Sequence, residues 1–149
     1  MEPTLAELLP HRPPMLMVDA LVRCEGDSAV AVKTFAEGSY GTDGGCVLEG
    51  ALIECLAQTV AALHGIRAHQ SGGRAPRGLL VGVTDFAFRR PASCGRSLQL
   101  TVRITRHLGP FCLAAGRIEQ DGSLVAEGEL KFHLEEDRVG LPTASSPQG

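Results

Sequence analysis

The amino-acid sequence predicts an α+β fold of one domain, in which an antiparallel sheet of about five or six strands wraps around one long central helix. Two observations lead to this prediction. Residues 46–66 are apolar or small on nearly every side of a helix, and runs of strand-forming residues separated by turn residues lie on both sides of them. A helix that is apolar all round must be covered by other elements. One sheet leaves part of it open, so we expect two chains to pair sheet edge to sheet edge.

The residues before the long helix predict a short helix and two strands. Thr4 is a candidate N-cap for a helix that runs to Leu9, and Glu7 completes a capping box with it. Pro10 and the prolines after it end this helix. Two strand-forming runs joined by a Gly-Asp turn follow, at residues 15–24 and 28–35.

The residues after the long helix predict a meander of strands. A polar connection leads into four strand-like runs, at residues 78–89, 97–108, 111–120 and 124–134. Gly109-Pro110 and Asp121-Gly122 mark tight hairpin turns between the last three. We expect one domain over residues 1–136. Residues 137–149 are rich in Pro, Ser, Gly and Gln, so we expect a flexible C-terminal tail.

Composition excludes several classes of protein. The chain has 149 residues, of which 44% are hydrophobic and 21% charged, as in one globular domain with a real core. No signal-type segment opens it, and Glu54 and Gln58 interrupt its longest apolar run, so we expect a cytoplasmic protein without a membrane span. Its five cysteines are widely spaced and never form C-x-x-C. This spacing favours neither a disulfide framework nor a zinc site, and we expect no cofactor.

Charge is unevenly distributed along the chain. Residues 66–106 contain eight arginines and one acid, Asp85, a local net charge of +7 in a chain whose net charge is −3. A basic region on an acidic protein argues against nucleic acid and for a smaller anionic partner, such as the phosphate of a carrier arm. The alternative is a scatter of solvated arginines on strand faces.

Glu54 is the first candidate for chemistry. It lies within the apolar run of the helix, where an ionised carboxylate must be paired, hydrogen-bonded or protonated. Gln58, four residues on, shares its face of the helix and can orient it. A carboxylate in such a setting suits general acid or base work. The alternative is that Glu54 reaches the rim of the helix or caps a neighbouring strand.

Three segments resemble the 3-hydroxyacyl-acyl-carrier-protein dehydratases of hot-dog fold. They are residues 8–19 (LLPHRPPMLMVD), residues 50–58 (GALIECLAQ) and residues 86–91 (FAFRRP), the last with Gly95 four residues later. The chain is also similar to the dehydratase-like proteins of aryl polyene and related fatty-acid or polyketide pathways, in which two different hot-dog chains can pair. The resemblance implies a hot-dog fold and a homodimer or a heterodimer with another hot-dog subunit.

One catalytic residue of that family is missing. In the family, a histidine on the loop before the helix acts with a carboxylate on the helix of the other subunit, and by resemblance Glu54 takes the carboxylate role. The family sequence is G-H-F-P-G where this chain has residues 38–42 (GSYGT), so Ser39 or Tyr40 stands at the histidine position. Serine is a poor acid or base unless another group activates it. If this chain pairs with a different hot-dog subunit, that partner would bring the histidine.

Candidates within the chain could fill the gap, and each has a plainer explanation. Tyr40 could donate a proton or only wall the pocket. Asp43, which we rank first, could act as acid or base or form an Asx turn, and Glu49 could do the same or only favour the helix dipole. His11 matches a non-catalytic histidine of the family and is assigned a structural role. We assign the remaining histidines, His64, His69, His107 and His133, to the surface or the core.

The implied ligand is an acyl thioester on an acyl carrier protein or coenzyme A, in an apolar tunnel beside the helix. Backbone N–H groups of Glu49 and Gly50 would polarise the thioester carbonyl. Gly44, Gly45 and Gly50 would let the ligand approach the backbone closely. The candidate contacts for the phosphopantetheine phosphate are Arg74, Arg77, Arg89, Arg90 and Arg96.

Three functions remain open on the sequence. The first is a 3-hydroxyacyl-carrier-protein dehydratase, acting alone or as one subunit, and the shared segments favour it. The second is a thioesterase in which Glu54 or Asp43 activates water or attacks the thioester. The third is a non-catalytic acyl-binding partner, which the missing histidine supports. Release of free thiol separates the second from the first, and binding without turnover identifies the third.

Overall fold

The computed structural model describes residues 3–135, which form two helices and eight strands. The helices are α1 (Leu5–Leu8) and α2 (Glu49–Gln70). The strands are β1 (Ala20–Glu25), β2 (Ser28–Lys33), β3 (Thr42–Asp43), β4 (Cys46–Val47), β5 (Arg77–Phe88), β6 (Leu98–Leu108), β7 (Phe111–Gln120) and β8 (Ser123–Glu135). The predicted tail at 137–149 lies outside the described residues.

Six strands form one antiparallel sheet, and α2 packs on its inner face. The strand order is β1-β2-β6-β7-β8-β5, so β1 and β5 are the edges. The predicted architecture, one sheet around one long helix, is confirmed. The capping box of Thr4 and Glu7 is confirmed as well, and so is the two-residue turn at Asp121-Gly122, where both residues have positive φ (52° and 78°) as a tight hairpin requires.

The core lies between α2 and the alternating inward residues of the sheet. On β6, Leu98, Leu100 and Val102 are fully buried, whereas the residues between them face outward. On α2, Leu56 and Leu63 are fully buried among them. The helix is therefore buried along most of its length, between the sheet on one side and α1 with the segment before β1 on another.

The first predicted strand is wrong at its beginning. The pattern predicted a strand over 15–24, but β1 begins at Ala20. The main chain at Met15 and Met17 is instead hydrogen-bonded to the side chain of Gln58. A side chain that satisfies these backbone groups removes the need for a strand ladder there.

The start of the long helix is also different from its prediction. The apolar run began at Cys46, but residues 46–47 form β4, which pairs with β3, and α2 begins at Glu49 and continues to Gln70. The main chain around β4 is held by the segment before β6, through Val47 N–H to the Ala92 carbonyl (2.9 Å) and Cys94 N–H to the Gly45 carbonyl (2.9 Å). The end of the glycine-rich loop is thus hydrogen-bonded to the connection between β5 and β6 before the helix starts.

No helix among residues 3–135 is both long and apolar enough to cross a membrane.

Candidate active site

Glu54 and Gln58 lie one turn apart on α2 and are hydrogen-bonded. Gln58 Nε2 donates to Glu54 Oε2 at 2.7 Å, as their spacing predicted. The same amide donates to the Met15 carbonyl at 2.9 Å, and its oxygen accepts from Met17 N–H at 2.7 Å. Only 1% of Gln58 is exposed, so its amide has little access to water and its hydrogen bonds are made to the protein. The Glu54 carboxylate is therefore attached to a rigid group.

The loop between α1 and β1 brings His11 to the same carboxylate. Arg12 fixes this loop by donating to the carbonyls of Ala6 (3.1 Å), Leu9 (2.9 Å) and His11 (2.8 Å). His11 Nε2 lies 3.7 Å from Glu54 Oε2, and the two side chains are 32% and 40% exposed. His11 Nδ1 is buried and has no hydrogen-bond partner among the described residues. An imidazole and a carboxylate therefore face each other within one chain.

These side chains line a cavity of about 160 Å³ between α2 and the β5–β8 edge of the sheet. Most of its wall is apolar, and Glu54, His11 and His64 are the ionisable side chains among its lining residues. The wall is completed by Ala57, Gln58, Val60, Ala61, Pro76, Gly78, Leu79, Leu80, Phe132 and Leu134. An apolar cavity with few polar groups converging in it is the usual form of a small-ligand site.

His64 lines this cavity and lies near Cys112, but the two side chains do not act as a base and a cysteine nucleophile. The Cys112 Sγ atom is 4.0 Å from His64 Nε2. Burial lowers the pKa of His64 to about 4, with smaller contributions from Arg67 and His107, and burial raises the pKa of the Cys112 thiol. Both groups are neutral near pH 7, whereas an active cysteine needs its thiolate form.

The glycine-rich loop does not reach the Glu54 cavity within the chain, as none of its residues is among those that line it. Ser39 Oγ donates to the Ala36 carbonyl at 2.6 Å, and the Ser39 carbonyl accepts from Thr42 N–H and Oγ1. Tyr40 is exposed, Asp43 is an exposed residue of β3, and Gly44 and Gly45 form the β3–β4 turn with positive φ. The loop and the helix carboxylate are thus separate in the single chain.

Glu49 and Gly50 are the first two residues of α2 and are exposed. The N-cap residue, Leu48, makes no side-chain hydrogen bond to the first turn. The backbone N–H groups of this turn are therefore not capped by that residue, and they keep the partial positive charge of a helix start.

Arg89 and Arg90 lie away from the Glu54 cavity. Arg89 Nη2 is 3.6 Å from Glu127 Oε2, and Arg89 lines an open groove on the outer face of the sheet. Arg90 is exposed just after β5. Arg96 is paired with Asp121, whereas Arg77 begins β5 between Pro76 and Gly78, two residues of the cavity wall.

Sequence reasoning did not place His11 and His64 at this site. For His64 a signal was present, because residues 54, 57, 58, 61 and 64 recur at helical spacing and so share one face of α2. For His11 no local signal exists, since its approach to Glu54 depends on how the proline-bounded loop folds back onto the helix.

No group of three or more His, Cys, Asp or Glu residues that could hold a metal ion occurs in the part of the chain that the structure describes.

The family match and the most similar curated proteins both identify dehydratases. Residues 3–138 match the family described as ApeP-like, ApeP dehydratase. The 3-hydroxyacyl-acyl-carrier-protein dehydratase FabZ of Syntrophotalea carbinolica is 35% identical over 135 residues, which cover 85% of this chain and 89% of that protein. The protein of the same name from Myxococcus xanthus is 38% identical over 154 aligned positions, which cover 95% of this chain and 97% of that protein.

Solved structures confirm the hot-dog fold. The dehydratase heterocomplex ApeI:P from Xenorhabdus doucetiae has a TM-score of 0.80 at 16% identity, over 89% of this chain and 91% of that chain. A hypothetical thioesterase from Streptococcus pneumoniae, solved with coenzyme A, has a TM-score of 0.65 at 9% identity, over 79% of this chain and 86% of that one. At such low identity these likenesses concern the fold alone, whereas the sequence matches concern the family. The chain belongs to the ApeP-like family of dehydratases, relatives of the FabZ proteins.

Proposed function

We propose that this protein is one subunit of a 3-hydroxyacyl-acyl-carrier-protein dehydratase and that Glu54 is its reacting carboxylate. The observation that carries the proposal is the Glu54 carboxylate, held by Gln58 at 2.7 Å, in the wall of a largely apolar cavity. The names of the FabZ relatives supply the substrate class. The apolar lining suits an acyl chain, and the carboxylate suits the proton transfers of dehydration.

The reaction requires two proton transfers. A base removes the proton from the carbon next to the thioester carbonyl, and the electron pair forms the carbon–carbon double bond. The hydroxyl on the next carbon leaves as water after an acid has given it a proton. Glu54 can perform one of these steps, and a second acid or base must lie across the substrate from it. We assign that second group to the histidine of another hot-dog subunit.

Among the strands of residues 3–135, β5 is an edge of the sheet, and we propose that the second subunit docks on it. Leu79, Leu80, Val81 and Val83 on this strand are exposed, and Leu79 and Leu80 also line the Glu54 cavity. An exposed apolar edge strand is a template for pairing with another chain. A subunit docked there would cover the cavity mouth, exclude water from Glu54 and bring its own loop close to the carboxylate. The separation of Glu54 from residues 38–45 in the single chain supports a site shared by two subunits.

For the carrier arm, Arg77 is the arginine next to the cavity wall. An arginine at that place suits the phosphate of a phosphopantetheine arm whose acyl end enters between α2 and β5. Arg89 and Arg90 would contact the carrier only on a surface farther from Glu54. We therefore rank Arg77 ahead of them for the phosphate contact.

The test is turnover of a 3-hydroxyacyl thioester on acyl carrier protein, with enoyl absorbance and free thiol followed together. The chain is assayed alone and with a histidine-bearing hot-dog subunit from the same cells. We expect enoyl formation with the partner present and a loss of about 100-fold or more in kcat for Glu54→Gln. Glu25→Gln, an exposed carboxylate at the β1–β2 turn, is the matched control and should be fully active.

Other outcomes would change the assignment. Enoyl formation by the chain alone would make it self-sufficient and direct the search for its second group to Asp43 and Tyr40. Thiol release that depends on Glu54 would identify a thioesterase. Binding of the thioester without turnover, with and without the partner, would identify an acyl-binding subunit.

A further inference from the structure

We propose that His11 is a positioning residue for Glu54: with Gln58 it holds the carboxylate oxygen Oε2 and so leaves Oε1 to act on the substrate. This inference rests on the proposed function, in which Glu54 is the reacting carboxylate. It assigns to the loop before β1 a part in the chemistry, where sequence reasoning assigned its histidine only a structural role.

The two oxygens of Glu54 have different surroundings. Oε2 accepts from Gln58 Nε2 at 2.7 Å and lies 3.7 Å from His11 Nε2. No hydrogen bond from a residue within 3–135 reaches Oε1. A carboxylate held at one oxygen keeps its orientation while the other oxygen remains available to a ligand in the cavity.

The buried Nδ1 atom of His11 determines which tautomer faces Glu54. A neutral imidazole carries its hydrogen on one nitrogen, and a buried N–H without an acceptor is costly. Nδ1 is buried with no partner in the described part of the chain. The hydrogen therefore belongs on Nε2, where it points toward Oε2 of Glu54.

In the single chain, His11 Nε2 and Glu54 Oε2 are 3.7 Å apart, which is too far for a hydrogen bond. Catalytic hydrogen bonds are often long before substrate binds and shorten in the complex. Here the closing element would be the subunit on β5, since the cavity that His11 and Glu54 share is bounded by Leu79 and Leu80 on that strand. Docking at this edge would exclude water that competes for the imidazole N–H and the carboxylate, and this favours a direct hydrogen bond between them.

The position of His11 is set from both sides of the loop. Before it, Leu8 packs so closely on α2 that a Cβ at Gly65 would lie 2.9 Å from Leu8 Cδ2. After it, Gln58 binds the main chain at Met15 and Met17. The imidazole is thus carried by a segment that is fastened to the helix bearing Glu54, which is what a positioning group requires.

The first test is the tautomer of His11 by ¹⁵N NMR of the full-length protein at about pH 8.5, above the usual titration range of histidine. The resonances are assigned by comparison with His11→Gln. We expect the hydrogen on Nε2. A predominant Nδ1–H form would overturn the proposal, whether or not the protein turns out to be a dehydratase.

The second test is kinetic and uses the assay with the partner subunit. We expect His11→Ala to lower kcat about 10- to 100-fold with KM within about 2-fold, because a misplaced carboxylate affects the transition state more than binding. His11→Gln, which keeps an N–H donor, should recover part of the loss. His107→Ala removes an exposed histidine of β6 and should match the wild type.

A double-mutant cycle separates positioning from a general structural role. If His11 acts through Glu54, His11→Ala should cause no further loss of kcat in the Glu54→Gln background. Independent, multiplied losses would overturn the proposal. If the wild-type complex forms no enoyl product, the proposed function fails, and the NMR tautomer then decides the His11–Glu54 pairing by itself.

Discussion

His64 lines the same cavity as Glu54, and burial lowers its pKa. The pKa of His64 is lowered from 6.5 to about 4, first by burial and then by the positive Arg67 and by His107. Between pH 4 and pH 6.5 the unfolded chain therefore binds a proton at this residue that the folded chain does not. By linkage, His64 lowers stability as pH falls through this window, and it has no such effect above it.

Replacing His64 should flatten the acid side of the stability profile. Relative to His64→Gln, we expect the wild type to lose up to about 3 kcal/mol of unfolding free energy between pH 7 and pH 4, because a tenfold change in proton affinity between the unfolded and folded chains corresponds to about 1.4 kcal/mol. Urea unfolding at several pH values measures the difference. His133→Gln, which removes a histidine on the outer face of the sheet, should keep the wild-type slope. An equal slope in wild type and His64→Gln would contradict the prediction.

The site could be predicted from the sequence only where its contacts are local. The pairing of Glu54 with Gln58 followed from their spacing of four residues on a helix. The contacts of Gln58 with Met15 and Met17 join residues that are 43 and 41 positions apart. His11 and Glu54 are likewise 43 positions apart. No periodicity reports such contacts, because they depend on how α1 and its loop pack on α2.

At the scale of elements, the close pairing of β8 with β5 depends on a glycine. Two residues of β5, Asp85 and Phe86, form a bulge in which Asp85 has a positive φ of 52°. A Cβ at Gly128 of β8 would lie 2.6 Å from the Phe86 Cα atom and 2.3 Å from its ring. The space that Gly128 leaves empty is filled by Phe86.

We expect Gly128→Ala to lower the free energy of unfolding by about 1–3 kcal/mol, as overpacking does when backbone must move. Gly116→Ala on β7 should cost less, because its new Cβ would meet the flexible ends of Leu56 and Leu130. Gly82→Ala on β5, where nothing lies within 4 Å, is the control and should change stability by less than about 0.5 kcal/mol. Denaturant unfolding of the three variants gives the order, and a Gly128→Ala variant as stable as Gly82→Ala would refute it.

The elements themselves were mostly predictable, and the exceptions have a common cause. The meander β6–β7–β8 lies within one or two residues of its predicted bounds, because its residues alternate and its turns carry Gly. The pair β3–β4 was not predicted, and its residues 46–47 were assigned to the helix. Its two-residue strands are held by long-range contacts with residues 92–94 rather than by a pattern of their own.

At the scale of the whole molecule, the two edges of the sheet are unequal. β5 is a strand of 12 residues, and Val81 and Val83 on it are 53% and 42% exposed. β1 is a strand of 6 residues, on which Val22 is 61% exposed. Within the described part of the chain both strands are edges of the sheet, and of the two β5 is the one that lines the Glu54 cavity. This asymmetry is the basis of our choice of β5 for the second subunit.

Charge placed on β5 should therefore abolish assembly and activity together. We expect the double variant Val81→Asp, Val83→Asp to sediment as a monomer where the wild type sediments as a dimer, with itself or with its histidine-bearing partner. The new carboxylates would be buried without partners in either interface, and in a homodimer they would also repel one another. Enoyl formation should fall with the dimer, since the shared site would be lost. Val22→Asp on β1 carries the same change on the other edge and should leave both intact. Dissociation by Val22→Asp, with the β5 variant still dimeric, would move the interface to β1 and leave Glu54 without a neighbouring subunit to complete its site.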